Sequence, residues 1–339
     1  MDRKEFFHLT AGGTAAAALP FLRLPNNNKI TKPAPLQRGD TIGLVSPASI
    51  VGTAEEYDEA KTQIQDLGYK VKEGDNARNR YGYFAGTDQQ RAEDINAMFA
   101  DSSVDAIMAY RGGWGCNRIL EYIDYDLITS NPKIIVGYSD ITSLLLAIYQ
   151  KTGLITFHGP VATSDWTDFS ISHFQKATGS SESFSLDTRY NIFSEDERYL
   201  VTQRKGRARG KLLGGNLTLL TSMIGSDYLP EWEGNILFVE DVGEDIYRID
   251  RMLSQLKLSG ILNKISGFIF GQCTSCKSSD PQGFSLQQIL NQHIKPLGIP
   301  AFSGTHIGHI GNMFTLPVGA PVLIDAAEGS IRVTASATA

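Results

Sequence analysis

From Leu36 onward the chain alternates short apolar runs with amphipathic ones, and that alternation decides most of what it can fold into. Thr41-Ile42-Gly43-Leu44-Val45 has the length and composition of a buried strand. Residues 54–67 carry helical spacing and stop at Gly68, the position after a helix where glycine is favoured. Further strands are expected at 69–72, 104–110, 133–138 and 154–157. Helices are expected at 88–99 with Asp88 as N-cap, from 117 through 122, and at 140–150. Strands that alternate with helices need right-handed crossovers, which build a mostly parallel sheet with helices on its faces.

Residues 163–209 break this rhythm with scattered Ser, Thr, Asp and Phe, and are expected to connect two domains. They close on a basic run, Arg204-Lys205-Gly206-Arg207-Ala208-Arg209, of the kind that usually forms a solvated face. A second unit follows, with helices expected at 216–224, 246–256 and 286–294, strands at 236–240 and 266–271, and short strands with turns over 314–334. A length of 339 residues suits two domains. The expected fold is α/β. An N-terminal flavodoxin- or Rossmann-like parallel-sheet domain spans 36–162, and a smaller C-terminal mixed α/β, β-barrel-like domain spans 210–337.

The first thirty residues differ from the rest. A short charged start, Arg3-Lys4-Glu5-Phe6-Phe7, precedes an uncharged Ala/Gly/Thr/Leu stretch and then Asn26-Asn27-Asn28. The apolar stretch is too short to span a bilayer, which needs about 20 residues. It fits the core of an export signal and resembles a twin-arginine signal in which Lys4 replaces the second arginine. The expected location is the periplasm, without a membrane anchor. The net charge of the whole chain is −6, and without the four basic and two acidic side chains of residues 1–30 the remainder stands at −8. An acidic body has no cationic excess with which to displace counterions, which argues against a nucleic-acid partner. With 42 % hydrophobic and 20 % charged residues, neither a disordered chain nor a coiled coil is compatible.

One segment carries the strongest chemical signal. The apolar run from Lys133 enters Gly137-Tyr138-Ser139-Asp140 and passes directly into a helix. A serine on so tight a strand-to-helix turn is pushed out of the sheet, as at a nucleophile elbow, although Ile141 stands where the usual pattern ends in glycine. The helix N-terminus offers free N–H groups to a developing oxyanion. Ser139 and Asp140 as plain helix caps are the alternative. Arg111-Gly112-Gly113-Trp114-Gly115 follows the preceding strand and should open at the same sheet edge. It suits an oxyanion or carboxylate cradle, a phosphate loop or a plain turn. Without Gly-Lys-Ser/Thr or an acidic ribose ligand at the right spacing, a nucleotide site is the weakest of the three.

A serine nucleophile needs a base, and the base an orienting acid. His8 lies in the export segment, and His173 and His293 are expected on solvent-facing segments. His158 ends a strand in Phe157-His158-Gly159-Pro160, while His306 and His309 share a glycine-flanked loop that could reach another domain. Glu240 ends the apolar run 236–239. Asp241, Glu244, Asp245 and Asp250 crowd nearby and are expected to be solvated or paired with Arg248 and Arg251, so spacing alone does not select the acid. Cys273-Thr274-Ser275-Cys276 lacks the second ligand pair a zinc site needs, which leaves incidental thiols or a loop disulfide.

Taken in order, these segments resemble the LD-carboxypeptidase family: the muramoyltetrapeptide carboxypeptidases and their relatives that confer immunity to peptide-nucleotide microcins. The resemblance runs through Gly39-Asp40, Gly82-Tyr83-Phe84-Ala85-Gly86-Thr87-Asp88 with Arg91, Arg111 to Gly115, and Gly137 to Asp140. It continues through Phe157 to Pro160, Gly214-Gly215-Asn216-Leu217, Phe238-Val239-Glu240-Asp241, Ile249-Asp250-Arg251, Gly308-His309 and Leu316-Pro317-Val318-Gly319. It implies a triad of Ser139 as nucleophile, Glu240 as acid and His309 as base, with a muropeptide tetrapeptide as substrate. It also implies a homodimer and chemistry without metal or organic cofactor. The backbone N–H groups of Gly113 and Asp140 are then expected to hold the oxyanion, and Arg111 and Trp114 to contact substrate.

Overall fold

A computed structural model describes residues 30–179, 182–188 and 200–339. The expected export segment, with His8, and part of the connecting stretch lie outside the described residues. The first half runs β1 (Thr41–Val45), α1 (Ala54–Asp66), β2 (Lys70–Glu73), α2 (Asp88–Ala100), β3 (Ala106–Ala109), α3 (Tyr125–Ser130), β4 (Ile134–Gly137), α4 (Thr142–Thr152) and β5 (Thr156–His158). β1 to β5 pair in parallel in the order β5-β4-β3-β1-β2. Every residue of β3 and β4 is buried, as central strands covered on both faces require. Because the strands run parallel, the residues after β1, β3, β4 and β5 all emerge at one edge, where open α/β sheets place their sites. The helix expected over 117–122 is instead two single 3-10 turns, at Cys116–Arg118 and Leu120–Tyr122, which follow the tight glycine loop.

The second half adds α5 (Asp168–Gly179), β6 (Phe184–Asp187), β7 (Val201–Arg204), β8 (Arg207–Asn216), α6 (Leu217–Ser222), β9 (Ile236–Val242) and α7 (Ile246–Leu258). Then come β10 (Gly267–Thr274), α8 (Leu286–His293), β11 (Ala301–Ser303), β12 (Leu316–Val318), β13 (Pro321–Asp325) and β14 (Ser330–Val333). Eight of these strands form a mixed sheet in the order β6-β14-β13-β8-β9-β10-β11-β7, parallel through β8 to β11 and antiparallel on both flanks. The stretch 163–209 is therefore more than a connection: it supplies α5 and both edge strands of the second sheet. Phe184 and Leu186 alternate with the exposed Ser185, so β6 carries only two apolar residues and is inconspicuous in sequence. The basic run does lie on the surface, with Arg204, Lys205, Arg207 and Arg209 exposed.

The two sheets are stitched together. β12 belongs to the second half of the chain but pairs antiparallel with β5 of the first sheet, Leu316 against His158 and Val318 against Thr156. Asn216 N–H donates to Thr142 Oγ1 at 2.9 Å, and Asn117 Nδ2 to Ser222 Oγ at 2.8 Å. A single hydrophobic core runs through both halves. None of the helices among the described residues is long and apolar enough to cross a membrane.

Candidate active site

Ser139 follows β4 and opens a 3-10 turn that leads into α4. Its φ is 62°, one of only two positive values at a non-glycine residue among those described. An L-residue in this region costs about 1–2 kcal/mol. Such strain persists only where packing enforces it and clusters at functional sites. The turn around it is closely packed. Gly137, on the turn's inner side, lies so close to Ile141 that a Cβ would come within 2.8 Å of its Cγ2. Gly112 approaches from the neighbouring loop, where a Cβ would sit 2.8 Å from Ser139 Cβ and 3.0 Å from Oγ. The glycine pressed against Ser139 is thus Gly112. Gly113, at φ +112°, turns the chain away so that Ser49 Oγ receives the Trp114 N–H at 3.1 Å.

This loop is clamped from below by Arg91, which is fully buried. Its guanidinium donates to the Pro47 carbonyl, to the Gly115 carbonyl at 3.0 Å and to Asp88, and lies over the Phe84 ring at 4.4 Å. Asp140 points inward instead of capping the helix. Its Oδ2 accepts the Cys116 N–H at 2.7 Å, and burial holds its carboxyl above the usual range. The Asp140 backbone nitrogen remains beside the Gly112–Ser139 contact, 3.4 Å from where a Gly112 Cβ would be.

From the second sheet, β9 brings Glu240 to the same place with its side chain wholly buried. Both carboxylate oxygens are partnered: Oε2 lies 2.9 Å from His309 Nδ1, and Oε1 accepts from Asn216 Nδ2 at 3.2 Å. A buried carboxylate requires such partners. With Nδ1 as donor to Glu240, the His309 Nε2 presents its lone pair. Gly308, at φ +122°, gives the carboxylate room, since a Cβ there would lie 2.9 Å from Oε2. The His309 loop is tied to β10 by Gln272 N–H to the Ile307 carbonyl at 2.8 Å and Gln272 Nε2 to the Thr305 carbonyl at 3.1 Å. Across the gap the His309 ring lies 4.8 Å from the ring of Tyr138, the residue before Ser139. The Ser139 hydroxyl itself has no hydrogen-bond partner among the described residues. Links of this kind often tighten only when substrate is bound.

The other candidates separate cleanly. His158 is wholly buried, its ring 5.3 Å from Phe238 and 6.2 Å from Tyr138, and burial pushes its pKa down to about 4. His173 is not on a solvent face: it packs against Phe169 and Phe314 at 4.2 and 4.8 Å. His293 binds Asp250 at 2.6 Å, so Asp250 pairs with neither Arg248 nor Arg251. Asp241 is not solvated. Its oxygens accept from Thr218, Asn216 and Val242, and burial, with the charge of Glu240 next, raises its pKa to about 6. Arg111 and Trp114 stand exposed on the loop beside Ser139, with Arg111 Nη1 donating to the Ile50 carbonyl at 3.2 Å. Cys273 and Cys276 form a disulfide. Asn216, Ser49 and Gln272 were not singled out by sequence as parts of the site. Only Asn216 left a trace, in the Gly214-Gly215-Asn216 segment that ends β8 and caps α6.

With this geometry in view, the matches to known proteins decide the assignment. Residues 42–159 match the LD-carboxypeptidase N-terminal domain, and residues 209–324 match the LD-carboxypeptidase C-terminal domain. The chain belongs to the LD-carboxypeptidase family. This is a family of serine peptidases, and the protein is an enzyme of that class. A probable murein peptide carboxypeptidase of Bacillus subtilis is 39 % identical over 300 residues, covering 88 % of this chain and 92 % of that protein. The microcin C7 self-immunity protein MccF of Escherichia coli is 32 % identical over 330 residues, covering 89 % of this chain and 95 % of its own. A structure of MccF in complex with glutamyl sulfamoyl guanosine aligns at a TM-score of 0.84 and 30 % identity, over 91 % of this chain and 99 % of that one. The muramoyltetrapeptide carboxypeptidase of Oxalobacter formigenes aligns at 0.75 and 31 % identity, over 86 % and 97 %.

Proposed function

We propose that this LD-carboxypeptidase hydrolyses the bond between the L-centre of a diamino acid and the terminal D-Ala of muropeptide tetrapeptides, using Ser139, His309 and Glu240. The observation that carries the proposal is a strained serine at φ 62° whose neighbour Tyr138 lies 4.8 Å, ring to ring, from a histidine bound at 2.9 Å to a wholly buried glutamate of the other sheet. His309 Nε2 takes the Ser139 proton as Oγ attacks the scissile carbonyl, while Glu240 fixes the tautomer and stabilises the imidazolium. The tetrahedral oxyanion is held by the N–H groups of Asp140 and Gly113, about 2.7–4 kcal/mol per donor in comparable sites. His309 then returns the proton to the departing D-Ala nitrogen, and water releases the acyl group from Ser139. Arg111 is the side chain available to the substrate's terminal carboxylate. No step calls for a metal or organic cofactor. We further propose that the enzyme acts in the periplasm after export on its N-terminal segment, and works as a homodimer.

The test is mass spectrometry of purified disaccharide-tetrapeptide before and after incubation. Loss of D-Ala with wild type and none with Ser139→Ala is expected, whereas undiminished release by Ser139→Ala refutes the triad. The extensive likeness to MccF supports one rival, hydrolysis of a peptide-nucleotide amide at the same serine. Faster turnover of such an amide than of the tetrapeptide would favour it.

A further inference from the structure

Seven large apolar side chains stand exposed among the described residues, and three of them crowd one rim of the cleft: Tyr81 at 61 %, Tyr83 at 62 % and Trp114 at 43 % exposure. They do not sit on frayed loops. Tyr81 and Phe84 exchange backbone hydrogen bonds at 2.9 and 3.1 Å, and Ile50 N–H donates to the Tyr83 carbonyl at 3.3 Å. Phe84 forms the floor, with the Tyr83 ring 4.4 Å away and the guanidinium groups of Arg91 and Arg118 over it at 4.4 and 4.9 Å. Ser49 joins this platform to the reaction centre. It pairs with Phe84 on one side and takes the Trp114 N–H on the other, two residues from the Gly112 that touches Ser139.

Rigidly mounted aromatic rings left in water at the lip of a cleft mark a ligand surface. What they suit is set by their surroundings. The acid against the platform, Asp88, has its carboxylate bound by Arg91 and Arg118, and the adjoining hollow of about 180 Å³ presents Asn79 and Arg80 beside Ile50 and Gly52. Flat apolar faces edged by phenol hydroxyls, an amide and a guanidinium match a pyranose ring, which is apolar on its C–H faces and polar around its rim. A peptide of three residues between such a ring and the scissile bond spans about 10 Å when extended, a reach compatible with a rim that begins two residues from the Ser139 contact.

We propose that Tyr81, Tyr83 and Trp114 form a saccharide subsite that takes the N-acetylated amino-sugar end of the substrate, an inference that rests on the muropeptide reading above. The test compares disaccharide-tetrapeptide with the free tetrapeptide on wild type and on Tyr81→Ala/Tyr83→Ala. Wild type should favour the glycan-bearing substrate through KM, and the double variant should lose about tenfold of that preference with kcat on the glycan-bearing substrate kept. An unmoved preference overturns the subsite. So does a changed oligomeric state of the double variant in light scattering, which would make the rings an interface between copies of this chain. If wild type cleaves neither compound, the reaction assignment fails, and binding then decides the subsite. Quenching of tryptophan fluorescence by the free amino-sugar disaccharide in wild type, lost in the double variant, supports it; no quenching overturns it.

Discussion

Adding one methyl group at Gly112 should disable the enzyme without unfolding it. The Gly112 backbone does not occupy the positive-φ region, so alanine is compatible with its conformation. The space is not: the new Cβ would lie 2.8 Å from Ser139 Cβ and 3.0 Å from its Oγ. Carbon atoms sit comfortably at about 3.5–4.0 Å, so roughly 1 Å must be found. Ser139 cannot easily supply it, because its left-handed conformation is fixed between β4 and α4. The loop 111–115 must move or the nucleophile must tilt, and either misaligns attack against the Asp140 N–H. Overpacking of this size costs about 1–3 kcal/mol of stability. A misplacement of about 1 Å at a reacting group costs about 100-fold in rate. Gly112→Ala is therefore expected to melt only a few degrees below wild type while kcat/KM for release of D-Ala falls by about two orders of magnitude. Gly39→Ala is the control: its φ is +92° but nothing lies within 4 Å of the new Cβ, so it should lose stability and keep activity. A folded Gly112→Ala enzyme with more than a third of wild-type kcat/KM would refute the reasoning, since the close approach would then be incidental.

Glu240→Gln replaces two acceptors, facing His309 and Asn216, with one acceptor and one donor, so either orientation opposes a hydrogen-bond donor or turns the imidazole to the wrong tautomer. Its kcat should fall by about 10³–10⁴, measured on the same muropeptide. Ser139→Gly removes the left-handed strain that Ser139→Ala retains, so in denaturant titrations the glycine variant should be the more stable of the two inactive enzymes by up to about 1 kcal/mol. His158 has a folded pKa lowered to about 4 against about 6.5 unfolded, so the unfolded chain binds more protons between those values and stability is lost as pH falls through that window. The loss amounts to about 3 kcal/mol at most. His158→Phe should flatten the slope of melting temperature against pH between 4 and 6.5, and an unaltered slope would assign the acid lability elsewhere.

The parallel sheet was legible in sequence because its inner strands β1, β3 and β4 are apolar runs, a pattern imposed by burial on both faces. β6 and β7 were not, because edge strands bury one face only and their polar residues look like those of a loop. β12 shows a different limit. Leu316-Pro317-Val318 is visible as a short strand, but nothing local tells which of two sheets it joins. At the site, Ser139 was legible because the strand–turn–helix that strains it is contiguous. Choosing Glu240 over Asp241 was not possible from spacing, since both are buried at the end of β9. They differ in what faces them: Asn216 meets both, but His309 meets the first and Thr218 the second, and these partners come from other elements. His173 and His293 went astray for the same reason, since their neighbours Phe314 and Asp250 are distant in sequence.

The path of the chain around His309 explains why a site divided between two sheets can be preorganised. After β11, in the second sheet, the chain crosses the cleft, carries His306 to Met313 over the junction, enters the first sheet as β12 and returns to the second as β13. His309 therefore rides on a span anchored in both sheets. Gln272 grips one end through Thr305 and Ile307, and the pairing of β12 with β5 grips the other. Asn216 adds a second tie, its N–H on Thr142 at the start of the Ser139 helix and its amide on Glu240. Opening the cleft as a hinge would strain the β5–β12 ladder and break the Asn216–Thr142 contact. That coupling argues against large domain closure as part of turnover. It fits a reaction whose demands are geometric, in which a fixed base and fixed oxyanion donors do most when they need not be reassembled for each substrate.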